Sequence, residues 1–426
     1  MTQSRSEVFY KWWKLAWWLC IVTLPWLDVI NNASIIILAV LWFSEGGFVK
    51  RFREIQNNKW AWPLFLYYLV LLVGAFYTRD FNNALFTFDK KISFVVLPLL
   101  AITGLPLDQK IISTLKRSFA YSCATVIAFC IGITAIHFIS GGGAENFDVV
   151  SNNNYNTLHP SATTAWMHFS YIQLSHWAGI HPGYFSMYLA FSIVILFTEN
   201  VDSRFSKTLN LFLATAMAVF IALLSSRMAI LAFCISTIFL VVVKIKERRT
   251  NIIVAIVLVL VVMGFLLTIN PISKFRLFEE PITTNYQADS SVMQWNSVSY
   301  RLLEWQGAWS VIKDNILFGV GTGGGTLALM DFYSHFNSST VGIESNAHNQ
   351  FLQTWMELGI IGLFVFISCL FGPLILAQSY SNTQYVCFLI IFIMMCLTES
   401  VVERQKGVVF FTFFQTLFLG FERKAK

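Results

Sequence analysis

The sequence predicts an all-α, polytopic membrane protein with about twelve transmembrane helices and one large outer loop that carries short amphipathic helices. Three observations support this prediction. Of the 426 residues, 56% are hydrophobic and only 12% are charged, an apolar excess typical of chains that face lipid. Phenylalanine occurs 41 times and tryptophan 14 times, which fits lipid-facing helices and interfacial belts. The apolar residues also form runs near the roughly 20 residues that a spanning helix needs.

Twelve apolar runs are candidates for the spanning helices. No small-residue cleavage site follows the first run, so we expect an uncleaved first span rather than a signal peptide. The predicted spans are residues 12–30, 33–49, 60–77, 92–107, 118–140, 180–198, 208–225, 228–243, 251–269, 351–378, 384–398 and 408–421.

The basic residues predict the orientation, because Lys and Arg are enriched in cytoplasmic loops. With the N-terminus inside, 19 of the 29 basic residues fall on the cytoplasmic side and ten on the outer side. We therefore expect both termini to be cytoplasmic. The whole chain, 1–426, is then a single polytopic membrane domain with two outer loops, a smaller one at 141–179 and a large one at 270–350. Loops this long are usually functional.

Cysteines and most histidines predict neither a disulfide framework nor a metal site. The seven cysteines lie almost entirely in apolar runs without CxxC spacing, so we interpret them as small hydrophobic residues. Five histidines have no spacing that resembles a zinc site. They are His137, His159, His168, His176 and His335.

Two arginines on the outer side are candidate functional residues. Arg227, in SSRMAILAF, lies between two apolar runs, where a charge is costly unless it faces protein, water or a counter-ion. The alternative is that it snorkels to the headgroups. Arg301 lies in SVSYRLLEWQGAWSVIKDN, which predicts an interfacial helix capped by Ser297 or Ser299. Its alternative is a pair with Glu304 on a solvated face.

His348 opens an apolar run, in SNAHNQFLQTWMELGIIGL. A neutral imidazole there can act as a general base, and its protonated form can bind an anion. The alternative is that His348 caps the helix. His181 likewise begins a predicted span, and Glu399 and Arg404 close another, where they either pair with each other or line a cavity. The glycines around Gly321, in ILFGVGTGGGT, predict either a phosphate-binding nest or a simple turn.

Arginines and histidines gathered at the outer membrane edge suit a lipid-borne diphosphate, because guanidinium groups bind phosphate oxygens in a bidentate manner. The second half of the chain also resembles the bacterial O-antigen ligase family and its relatives, the O-antigen polymerases and some protein O-oligosaccharyltransferases. The resemblance is carried by Ser226, Arg227 and Ala229, by Ser299, Arg301 and Trp309, by residues 315–321, and by His348, Asn349, Leu352, Glu357, Gly359 and Gly362. One departure is Met228, where family members often have glycine.

The resemblance implies a twelve-span fold with a large periplasmic loop over the active site. It also implies transfer of a glycan from undecaprenyl diphosphate to an acceptor, with no metal or other cofactor. The candidate catalytic residues are Arg227 and Arg301, which would bind the diphosphate, and His348, which would lie near the acceptor hydroxyl or the leaving phosphate. Candidate substrate-binding residues are Arg404, Glu399, His181, Asn349 and Gly321.

Several functions share this donor chemistry. We expect ligation of O-antigen to lipid A-core first, then polymerisation of lipid-linked repeat units, then O-glycosylation of a protein. Membrane lipids are expected partners and nucleic acid is not. The expected location is the bacterial inner membrane, with the active site facing the periplasm. A transporter of the lipid-linked glycan is the non-enzymatic alternative, but it would place charges near the bilayer midplane and often shows inverted repeats.

Overall fold

The computed structural model describes residues 3–46, 48–140, 164–200, 203–279, 297–334, 346–376 and 382–421. Every regular element in these ranges is helical and none is a strand, so the all-α prediction is confirmed. Parts of both predicted outer loops, together with His159 and His335, lie outside the described residues.

Six of the described helices are long and apolar enough to cross a membrane. They are Asp28–Glu45, Gln109–Ser140, Arg204–Leu224, Arg227–Lys246, Thr250–Ile269 and Gln350–Ile375. Shorter apolar helices are Lys59–Gly74, Pro182–Thr198 and Thr383–Cys396. The other α-helices are Gln3–Thr23, Phe48–Asn57, Phe81–Lys91, Ser93–Thr103, Thr164–His168, Tyr171–His176, Pro271–Lys274, Ser297–Asp314, Gly325–Tyr333 and Gln405–Thr416.

The predicted number of twelve spans is not confirmed. One reason is that several apolar runs form helices shorter than the roughly 20 residues that cross a bilayer. The predicted span 92–107, for example, contains the 11-residue helix Ser93–Thr103.

Two helices that are buried along nearly their whole length form the centre of the fold. In Pro182–Thr198, every residue from Pro182 to Leu196 is buried, and Gln405–Thr416 is buried from Lys406 onward. A helix that is hydrophobic all round packs inside protein rather than at its surface. Phenylalanine rings fill the space between the central helices, as in the contact of Phe191 with Phe414 at 4.8 Å between ring centroids. Six of the seven free cysteines are buried, as is typical of small hydrophobic residues.

The helix Gln350–Leu376 is interrupted at Gly359, whose φ of 67° lies in the left-handed region. The glycine-rich segment packs against the interruption. The amides of Val320 and Gly321 donate to the carbonyls of Met356 and Glu357, both at 2.9 Å. These hydrogen bonds fix residues 319–321 to the helix that follows His348.

We expect Gly359→Ala to lower the free energy of unfolding by at least about 2 kcal/mol, because a Cβ there combines a left-handed backbone with a clash. That Cβ would overlap the carbonyl of Leu317. Thermal unfolding in detergent measures the effect. Gly264→Ala is the matched control, since a Cβ at that helical glycine meets nothing within 4 Å. Equal apparent Tm values for the two variants would contradict the prediction.

Candidate functional site

Arg227 begins the helix Arg227–Lys246, directly after a tight turn at residues 225 and 226. Ser225 adopts a left-handed φ of 52°, and its hydroxyl lies 2.7 Å from that of Ser273. The Arg227 guanidinium donates through Nε to the backbone carbonyl of Arg276. The half-buried Arg227 side chain is therefore positioned by a protein contact, so it does not depend on headgroups alone.

Arg276 is a functional candidate that the sequence analysis did not single out. Its side chain is buried, with the guanidinium carbon 3.7 Å from the ring centroid of Tyr171. Stacking on an aromatic face stabilises a desolvated guanidinium. The signal in the sequence was only its basic charge in the long outer loop, and nothing there indicated that the chain returns to Arg227.

Arg301 lies on the helix Ser297–Asp314, which the sequence predicts. This helix packs into a small apolar cluster through Leu303 and Ile312, each 1% exposed. Arg301 donates from Nη2 to Oε1 of Glu399 at 2.5 Å and from Nε to the carbonyl of Thr398 at 3.0 Å. The ion pair therefore joins two distant segments, and the alternative of an isolated pair with Glu304 on a solvated face is wrong.

Three arginines line one cavity of about 250 Å³, which we name the arginine cavity. The guanidinium-bearing residues are Arg227, Arg276 and Arg301. They come from three separate parts of the chain, and Glu399 and His181 complete the wall between them. Convergence of arginines in a partly desolvated cavity is typical of an anion site, because charge-assisted hydrogen bonds are strong there.

His348 lies two residues before the start of the helix Gln350–Leu376, with a φ of 38°, an uncommon conformation for any residue except glycine. The backbone N–H of His348 donates to Oδ1 of Asn346 at 2.9 Å. Its Nδ1 lies 3.2 Å from Oε2 of Glu399. Glu399 therefore bridges the Arg301 guanidinium and the His348 imidazole.

The helix cap belongs to Asn349 and not to His348. Oδ1 of Asn349 accepts from the amides of Phe351 and Leu352, at 2.9 and 3.1 Å. Its amide group donates to the carbonyl of Leu397 at 3.0 Å. The interpretation of His348 as a cap is therefore wrong, and Asn349 supports the helix start rather than lining either cavity.

A second, more polar cavity of about 620 Å³ adjoins the arginine cavity; we name it the polar cavity. It is lined by His348 and shares His181 and Glu399 with the arginine cavity. Arg404 also lines it and is exposed. No ion pair joins Arg404 to Glu399 within the described ranges. Of the two alternatives left open by the sequence, the structure therefore shows both side chains lining one cavity rather than pairing with each other.

His181 lies at the start of the helix Pro182–Thr198. Together with Glu399 it lines both cavities, and we name these two residues the shared wall. Nδ1 of His181 accepts a hydrogen bond from the amide of Gly183 at 3.3 Å. His181 is therefore the capping histidine of this site. The structure places His181 at both cavities, but its Nδ1 accepts the hydrogen bond that caps its own helix.

Gly321 lies away from both cavities. Its amide donates to the backbone carbonyl of Glu357, and a Cβ at Gly321 would meet Cα of Thr78 at 2.6 Å. The glycines here permit close backbone packing, so we do not carry the phosphate-nest interpretation of Gly321 into the proposed site.

The charge states of the shared wall follow from its contacts. Burial raises the pKa of the Glu399 carboxyl, but the His348 hydrogen bond and the Arg301 charge outweigh it and lower the pKa to about 2. Burial lowers the pKa of His348, but the hydrogen bond to Glu399 and the charge of Glu304 outweigh it, so the pKa lies above its ordinary value. Glu399 is therefore an anion at neutral pH, and it makes His348 a stronger base.

Comparison with protein families fits this geometry. A family model described as O-Antigen ligase matches residues 212–367. This part of the chain is therefore similar to the O-antigen ligase family. The matched region includes Arg227, Arg276, Arg301 and His348, and the recognition made from sequence is confirmed. No curated protein matches the chain.

The family match over residues 212–367 supports a glycosyltransferase-type enzyme, and the apolar helices support a multi-pass membrane protein. Among the described residues, no three or more His, Cys, Asp or Glu side chains are grouped so that they could hold a metal ion. The roles of the individual arginines and of His348 stay predictions, as do the donor, the acceptor and the orientation in the membrane.

Proposed function

We propose that this protein transfers a glycan from undecaprenyl diphosphate to an acceptor hydroxyl at the periplasmic face of the bacterial inner membrane, with lipid A-core as the acceptor. One observation carries the proposal. The arginine cavity and the polar cavity meet at Glu399 and His181, with three guanidinium groups on one side and the His348 imidazole on the other. A diphosphate and a hydroxyl could therefore approach each other at this wall.

The chemistry follows from the two sides of the wall. The acceptor oxygen attacks the anomeric carbon while the bond from that carbon to the diphosphate breaks. Arg227 and Arg301 stabilise the charge that grows on the departing diphosphate. His348 takes the proton of the acceptor hydroxyl on Nε2, while Glu399 orients the ring through Nδ1.

The proposed topology places both termini in the cytoplasm and both cavities at the periplasmic side, within a single polytopic domain covering residues 1–426. The distribution of basic residues supports this orientation. The donor is activated before it reaches the site, so the reaction needs no nucleotide sugar, metal or cofactor.

Removal of the gene tests the acceptor. We expect full-length glycan polymer to accumulate on the carrier lipid, because a ligase acts after chain extension. Accumulation of single repeat units would instead indicate a polymerase, and loss of glycan from a protein would indicate protein O-glycosylation. The measurement is mass spectrometry of the glycan-bearing lipids and proteins from the deletion strain.

A purified assay with lipid-linked donor tests the chemistry. We expect transfer to continue in EDTA, and inhibition that a divalent ion reverses would contradict the metal-free mechanism. A protein that moves donor between leaflets of a vesicle without transferring glycan to any acceptor would overturn the enzymatic proposal.

A further inference from the structure

Glu304 is a second carboxylate beside His348. It lies three residues after Arg301, slightly less than one helical turn, with a side chain that is 15% exposed. Its Oε1 is 3.9 Å from Nε2 of His348, whereas Glu399 faces Nδ1. The imidazole is thus flanked by one carboxylate at each nitrogen.

The two carboxylates differ in their partners. Glu399 is bound by the guanidinium of Arg301. Oε2 of Glu304 is buried and has no hydrogen-bond partner within the described part of the chain. A buried carboxylate oxygen without a partner is costly when it is charged. A proton taken up by Glu304 would relieve that cost.

Burial raises the pKa of Glu304 to about 7, although the nearby charges of His348 and Arg301 oppose the rise. Glu399, with a pKa near 2, is a poor proton acceptor. Two carboxylates whose environments separate their proton affinities in this way usually have different tasks.

We propose that Glu304 is the proton-relay and positioning residue for His348, receiving from Nε2 the proton that the imidazole removes from the acceptor hydroxyl. This inference rests on the proposed function. It concerns a residue that acts through His348 and does not require contact between Glu304 and the glycan.

The relay balances. The hydroxyl proton moves to Nε2 as the acceptor oxygen bonds to the anomeric carbon, and the electron pair of the broken bond stays on the diphosphate oxygen. The proton then passes from Nε2 to the Glu304 carboxylate, which leaves His348 neutral, and finally to solvent. Since 3.9 Å exceeds hydrogen-bond length, the transfer uses a small side-chain rotation or one bridging water.

Other charged or titratable groups face this pair and enter its titration. Arg301 and Tyr300 come from the helix that carries Glu304, Glu399 comes from the segment after Thr383–Cys396, and His181 comes from the start of Pro182–Thr198. Arg301 opposes protonation of His348, while the two glutamates favour it.

The test measures how readily His348 reacts with diethyl pyrocarbonate as a function of pH, with modification followed at the His348 peptide by mass spectrometry. Only the neutral imidazole reacts. We expect Glu304→Gln to move the midpoint to lower pH by about one unit, because loss of a nearby anion destabilises the imidazolium. In the same variant, the acidic limb of the turnover profile should move equally, and turnover should fall by about tenfold to a hundredfold.

Two further variants sharpen the test. Asp314→Asn neutralises an exposed carboxylate at the end of the same helix and should leave midpoint and turnover unchanged. Glu304→Asp keeps the charge and should retain a midpoint closer to the original than Glu304→Gln. If Glu304→Gln does not insert, Glu304→Asp decides alone: we then expect a smaller downward shift, and an unchanged midpoint overturns the relay.

The outcomes separate this inference from the proposed function. An unmoved midpoint in folded Glu304→Gln, or reduced turnover with an unmoved acidic limb, reduces Glu304 to a structural residue while transfer by the original protein still stands. A shifted midpoint in a protein that transfers no glycan leaves the coupling of Glu304 to His348 intact but removes its catalytic meaning.

Discussion

His348→Ala is expected to lower glycan transfer by about a thousandfold while the protein still inserts and folds. General base catalysis contributes roughly 10²–10⁴ in rate, and the variant removes the only imidazole that Glu399 holds by a hydrogen bond among the described residues. The measurement is turnover with saturating lipid-linked donor, compared with the amount of folded protein recovered in detergent.

Two variants make the result specific. His348→Asn tolerates a left-handed backbone such as the 38° φ of His348, so its loss of activity reports chemistry rather than strain. His176→Ala removes an exposed imidazole that lines neither cavity and should retain full turnover. Normal transfer by both His348 variants would leave His348 without a chemical role.

The residues of the candidate site could be predicted from sequence better than the contacts between them. Arg227 and His348 could be singled out because each places a polar group beside an apolar run. Arg301 could be singled out because its segment predicts an interfacial helix, and the family resemblance reinforced all three choices. Their partners could not be predicted, because the contact of Arg301 with Glu399 joins residues 98 positions apart. Spacing along one helix instead suggested Glu304 as the partner of Arg301.

The glycine-rich segment and the apolar helices also depend on contacts with distant parts of the chain, which the sequence does not reveal. The glycine run around Gly321 predicts a phosphate-binding nest as readily as a simple turn, and only the hydrogen bonds to the carbonyls of Met356 and Glu357 decide between them. The helix Pro182–Thr198 is apolar like a lipid-facing span, yet its neighbours bury it on all sides. Composition cannot distinguish lipid from protein as the apolar surroundings.

Arg301→Lys is the second change with a large expected effect, a loss of about tenfold to a hundredfold in kcat/KM for the lipid-linked donor. The guanidinium uses two different nitrogens on Glu399 and the Thr398 carbonyl, and the same planar fork suits a diphosphate. An ammonium group keeps the charge but cannot reproduce this geometry. Steady-state kinetics with varied donor concentration measures the loss.

Arg227→Lys distinguishes a diphosphate contact from an indirect effect on His348. Arg301 touches Glu399 directly, so its replacement can also shift the titration of His348 and hence the acidic limb of turnover. Arg227 is held at the other side of the arginine cavity by the Arg276 carbonyl, so its replacement should weaken donor use without moving that limb. Arg204→Lys, at an exposed helix start, is the control. Full activity of both Arg227→Lys and Arg301→Lys would contradict diphosphate binding by these arginines, because the planar fork would then be dispensable at both positions.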